Sequence, residues 1–174
     1  MKKIFIVLIG LIAMISYLTG CNKVASAPKV EVEEVIDVYR YGGLTSGELL
    51  SKLGDPPRTD KWIFRSTSGH QVPATSYFFE INHFPVEFIV VDNKVAGLNV
   101  LPPEDPEHDM EIETHKDVLA LTGILPEDDM ITVLENSVTA RYTAVNANVR
   151  EVWVTLNDKK VDSLRVSFEN KYFD

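Results

Sequence analysis

The chain has 174 residues, of which 45% are hydrophobic, and its 26 Asp and Glu outweigh 17 Lys and Arg for a formal net charge of −9. No basic stripe is present to neutralise phosphates, so nucleic acid is not an expected partner. Cys21 is its single cysteine, which excludes an intrachain disulfide, so the fold must rest on a packed core; the length suits one domain or two small fused units.

Met1-Lys2-Lys3 forms a short positive segment, residues 4–17 are apolar and rich in Ile and Leu, and Leu18-Thr19-Gly20-Cys21 follows. This is the signal-peptide pattern, and the apolar run falls short of the ~20 residues that span a bilayer. The tetrapeptide resembles the lipobox of bacterial lipoproteins. The resemblance implies that a diacylglyceryl group is attached to the Cys21 thiol and that the chain is cut before Cys21, so residues 1–20 are read as a lipoprotein signal peptide. Cys21 is thus the expected lipidation site. The expected location is the extracytoplasmic face of the cell membrane, with the anchor as membrane partner. Two acyl chains give stable anchoring where one does not, at roughly 0.8 kcal/mol per buried methylene. Cleavage would remove Lys2 and Lys3 and no acidic residue, leaving 154 residues with 15 basic and 26 acidic side chains, a charge of −11. Such a body is repelled by anionic lipid, so the anchor must hold it there.

Residues 21–29 are small and polar with Pro28, a flexible tether. Residues 30–41 fit a helical stripe through Val32, Val35, Ile36 and Tyr39, but Val30-Glu31-Val32-Glu33 alternates like a strand; a short helix ended by Gly42-Gly43 is the favoured reading. Thr45-Ser46-Gly47-Glu48 is a capping box with Leu44 and Leu49 as its staple. Leu49, Leu50 and Leu53 form the buried stripe of that helix, Gly54 closes it, and Pro56-Pro57 forbids continuation. Strands are expected at 62–64, 77–81, 86–91 and 95–101, with a polar loop over 66–76 and a hairpin turn at Asp92-Asn93-Lys94. Residues 102–113 are acidic and Pro-rich, a linker. Thr114-His115-Lys116-Asp117 then resembles a second capping box, Gly123 closes a second helix, and strands are expected at 130–134, 138–144, 149–156 and 161–168.

The segment 88–100 aligns without a gap on 154–166, matching Asp92 with Asp158, Lys94 with Lys160, Val95 with Val161, Leu98 with Leu164 and Val100 with Val166. A capped helix lies at a similar distance before each hairpin. The expected fold is therefore α+β: two fused repeats, 30–101 and 114–174, each a short helix packed on a four-stranded antiparallel sheet. Gly43, Thr45, Glu48, Leu49, Leu53-Gly54-Asp55-Pro56 and Trp62 resemble the helix-plus-sheet modules of the SmpA/OmlA outer-membrane assembly lipoproteins. The same residues resemble small Bacillus-type lipoproteins of unknown function and the tandem fold of the β-lactamase inhibitory protein. The resemblance implies an inhibitor-like or assembly-like binding module.

No metalloprotease, nucleophile-elbow, Ser-x-x-Lys or phosphate-cradling motif occurs. His70, His83, His108 and His115 read as surface histidines. Glu104-Asp105-Pro106-Glu107-His108-Asp109 lacks EF-hand spacing and its turn glycine and reads as a solvated linker. No catalytic residue, metal site or cofactor is expected. Alternation puts Val152, Val154, Leu156, Leu164, Val166 and Phe168 on a core face and Glu151, Trp153, Thr155, Ser163, Arg165 and Ser167 on the other. The corresponding outer positions of the first hairpin are Glu87, Ile89, Val91, Asn99 and Leu101. An outer face with Trp and Arg suits a protein partner. Its candidate residues are Trp153, Arg165, Ile89, Asn99 and Glu87. The expected function is a noncatalytic protein-binding or envelope-assembly lipoprotein. An accessory subunit of a membrane complex and a metal-dependent envelope enzyme are the alternatives.

Overall fold

The computed structural model describes residues 33–65, 69–108 and 111–168. The signal peptide (1–20), the tether (21–29) and Cys21 lie outside them. Eight strands form one antiparallel sheet: β1 (Arg58–Arg65), β2 (Gln71–Ile81), β3 (Phe84–Val91), β4 (Lys94–Val100), β5 (Ile131–Glu135), β6 (Thr139–Thr143), β7 (Glu151–Asn157) and β8 (Lys160–Ser167), in the spatial order β1-β2-β3-β4-β8-β7-β6-β5. Three hairpins turn on two residues of positive φ, at Asn82-His83, Asp92-Asn93 and Asp158-Lys159. Such turns carry the right-handed strand twist without splaying the ladder.

The first helix, α1 (Ser46–Leu53), forms as its capping box requires. The Glu48 amide donates to Thr45 Oγ1 at 3.3 Å, and the Thr45 amide donates to Glu48 Oε2 at 2.8 Å. Gly54 ends it at φ 82°, a left-handed value that a side chain would resist. Its start is tied to the β3–β4 turn, where the Ser46 amide donates to the Asn93 carbonyl. The second helix, α2 (Asp117–Leu121), has only five residues. Its box is half made: Asp117 accepts from the Thr114 amide and hydroxyl, while the residue before the helix makes no side-chain cap.

One apolar core lies under one face of the sheet. It joins Phe79, Phe88, Leu98 and Val100 to Tyr142, Val152, Leu164 and Val166, roofed by Val35, Val38, Leu49, Ile112, Val118, Leu119 and Leu121. The segment before α1 braces α2, because the amides of Val35 and Ile36 both donate to the Leu121 carbonyl.

Two fused units with a sheet each are thus not what forms. β4 and β8, the last strands of the two expected sheets, pair antiparallel, setting Leu98 opposite Val166 and Val100 opposite Leu164. All four are fully buried. Either strand alone would leave an open ladder edge along an apolar row. Pairing them satisfies both edges and merges the two cores. The likeness to tandem assembly-lipoprotein or inhibitory-protein modules falls with this: Gly43, Thr45, Glu48, Leu49, Leu53-Gly54-Asp55-Pro56 and Trp62 build a capped helix and a strand of an undivided sheet.

Smaller corrections follow the same logic. In place of a helix over 30–41, the described part holds one 3-10 turn at Val38–Arg40, capped by Asp37. The expected loop at 66–76 gives way at Gln71 to an eleven-residue β2. Ser76 lies on the face away from the main core, buried and bonded, which composition alone hides. The acidic linker docks on the body through Ile112, whose amide donates to the Lys159 carbonyl.

Candidate functional site

The face opposite the core carries one continuous row of side chains. The registers set Arg58 against Phe78, Phe78 against Glu87, Glu87 against Asn99, Asn99 against Arg165, Arg165 against Trp153, Trp153 against Arg141 and Arg141 against Leu134. Directly opposed residues stand roughly 5 Å apart at Cβ, so the row runs from one strand to the next without a break. Four of the five sequence-derived candidates (Glu87, Asn99, Arg165 and Trp153) are therefore consecutive in one row. No single hairpin contains all four; the β4–β8 seam assembles them.

The two halves of this face differ. On β1–β4 the polar groups are bound to one another. The Trp62 indole N–H donates to Ser76 Oγ at 2.9 Å, Ser76 donates to Glu87 Oε1 at 2.5 Å, and Asn99 Nδ2 donates to Glu87 Oε2 at 2.7 Å. Both Glu87 oxygens are thus held from within. Ile89, the fifth candidate, is 2% exposed and sits with Ala74, Val91 and Ala96 in a second apolar cluster against which Trp62, Phe64 and Val72 pack. It offers no accessible contact, because β1 adds two aromatic rings to the face that the β3–β4 hairpin alone leaves bare.

On β5–β8 the face stays open. Trp153 is 37% exposed, and Ile131 and Leu134 of β5, two strands away, are exposed as well. The Arg141 guanidinium lies over the Trp153 ring, 5.3 Å from its centre, and donates to Glu151 Oε2 at 2.6 Å. That bond holds the Arg141 charge above its ordinary pKa against the cost of burial. Burial pulls the Arg165 guanidinium below its ordinary value, while Glu151 and Glu87 oppose this. Arg141 is the residue that sequence reading missed. The alternation of β6 puts it on the outer face, but its contact with Trp153 needed the β6–β7 register.

His83 and His108 stack, with centroids 4.1 Å apart and rings 10° from parallel. They border a groove of 730 Å³ that Phe78, Pro85, Leu101, Glu104 and Asp105 also line. His70 is exposed, but His115 is buried, contrary to a surface reading, with Nδ1 3.9 Å from Glu135 Oε1. Among the described residues no three or more His, Cys, Asp or Glu are grouped to hold a metal ion. No described helix is long and apolar enough to cross a membrane.

No family model matches the chain, and no curated protein does. Two solved structures align with it over most of its length. One is an extracellular protein containing an SCP domain from Bacillus anthracis (16% identity, 85% of this chain, 51% of that one, TM-score 0.40). The other is a cysteine-rich secretory protein from Staphylococcus aureus (13% identity, 80% of this chain, 49% of that one, TM-score 0.42). The chain spans about half the length of each.

Proposed function

We propose that this protein is a noncatalytic binding module, held by lipid on Cys21 at the extracytoplasmic membrane face, that engages a protein partner through the outer face of β5–β8. The observation that carries this reading is the contrast between the halves of one sheet face. On β1–β4 the outer polar groups bond to each other and Trp62 and Phe64 pack over the apolar ones. On β5–β8 the half-exposed Trp153, the Arg141 stacked on it and the apolar Ile131 and Leu134 have no such cover among the described residues. Aromatic and Arg side chains flanked by apolar contact area are the usual anchors of an interface. The lipobox-like Leu18-Thr19-Gly20-Cys21 supports the membrane address.

A photocrosslinking amino acid in place of Trp153, in the native lipidated chain in its own membrane, tests this. One stoichiometric protein is expected, absent when the crosslinker replaces exposed Ile63 on β1. A partner captured equally at both positions, or at neither, would refute the face assignment. Metabolic labelling with a fatty-acid analogue tests the anchor, and a Cys21→Ser chain that still takes up label would refute it.

A further inference from the structure

We infer that β5 is an open docking edge that takes an extended strand with apolar residues between basic ends from the partner protein. This rests on the reading of β5–β8 as a binding face and names how the partner is held. The two ends of the sheet are built differently. β1 carries Arg58, Asp60, Lys61 and Arg65 among its eight residues, a charge pattern that discourages a further strand. β5 is exposed at every position, and Glu135 is its single charge. Ile131, Val133 and Leu134 are 57%, 53% and 42% exposed, and Val138 in the turn to β6 is exposed as well. The β5–β6 register shifts between Thr132 and Leu134, leaving Val133 outside the ladder. Among the described residues no strand lies beyond β5. An added strand would pair along the outer edge of β5, and its side chains on the Leu134 side would extend the row through Arg141 and Trp153.

Charge selects the occupant. Exposed Glu127, Asp128 and Asp129 precede β5 and Glu135 ends it, so an apolar middle lies between acidic ends. A second copy paired antiparallel would bring residues 127–129 of one chain against Glu135 of the other. His115 Nδ1 lies 3.9 Å from Glu135 Oε1 at this end. Like charges opposed across strands destabilise the pair. A strand with Lys or Arg at its ends meets both acidic ends and the apolar centre.

The test uses the full lipidated chain in nanodiscs and a fluorescent peptide, Lys-Val-Thr-Val-Thr-Val-Lys, followed by anisotropy. Saturable binding is expected. Val133→Lys and Glu135→Lys should each weaken it at least about tenfold, ~1.4 kcal/mol, and a peptide N-methylated on alternate amides should not bind. The methylated peptide leaves the protein untouched, so a folding defect in a variant does not blur the result. Trp153→Ala should change peptide affinity far less than Val133→Lys, which separates this assay from the crosslinking test of the face. Equal binding of the methylated peptide, or of one with Glu at both ends, would overturn the proposal. So would sedimentation showing a dimer that Val133→Lys dissolves, which would assign the edge to a second copy.

Discussion

Leu98→Ala asks whether the sheet is one cooperative body. Leu98 is fully buried on β4 and faces Val166 across the seam. Truncation removes three carbons, about 2.4 kcal/mol of transfer free energy at ~0.8 per methylene. The unfilled space raises the loss to roughly 3–4 kcal/mol within the usual Leu→Ala range. For a body of this size each kcal/mol lowers Tm by about 3 °C, so a fall near 10 °C is expected. The chain has two tryptophans, and they report separately: Trp62 on β1 in one half, Trp153 on β7 in the other. Unfolding is followed by fluorescence in Trp62→Phe and Trp153→Phe backgrounds, with and without Leu98→Ala. Because one core joins both halves, both probes should shift together by the same amount. If the Trp153 signal keeps its midpoint while the Trp62 signal moves, the halves unfold independently and the shared-core argument is wrong.

Three further outcomes are expected. Ser76→Ala removes the acceptor of the Trp62 indole N–H and a donor to Glu87 at a buried position, and should cost roughly 1–3 kcal/mol in urea unfolding; a change below about 0.5 would mean that network carries no stability. The Glu48 carboxyl is held below its ordinary pKa by the Thr45 amide and then its hydroxyl. Its contribution is therefore complete above the ordinary carboxylate pKa and lost as pH falls through the lowered value. Glu48→Gln should flatten Tm against pH in that acid window, and parallel curves for both proteins would refute the cap as its origin. Burial, then the Glu135 charge, pushes the Tyr142 phenol from 10.0 to about 12. The neutral phenol is the form the fold favours, so its contribution is intact below pH 10 and lost as pH rises through about 12. Absorbance at the phenolate band should show a late step that Tyr142→Phe removes; an unchanged titration curve would contradict the assignment.

The local features were legible from the chain because their causes are local. Thr45, Glu48 and Gly54 state where α1 starts and stops. Asp92-Asn93 states a two-residue turn. The alternation from Glu151 to Asn157 and from Lys160 to Ser167 states which side of each strand is buried, and the core follows it. The same alternation placed Glu87, Asn99, Trp153 and Arg165 on the outer face. The second helix was overread, since Thr114 and Asp117 form only part of a box over a helix of five residues.

What the sequence alone determined is thus the capped first helix, the two-residue turn at Asp92-Asn93 and the sidedness of the strands around Trp153 and Arg165, all fixed by neighbours a few residues apart. Tertiary structure alone decided how the strands were ordered and joined. Leu98 meets Val166 across 68 positions of chain, and no local pattern distinguishes that pairing from two separate sheets. It is chosen because two apolar edges cannot both face water when each can satisfy the other. The same long-range choice set Asn99 beside Arg165, while β1 brought Trp62 and Phe64 to pack against the cluster that buries Ile89. The open end of the outer face, around Trp153 and β5, is what those choices left over.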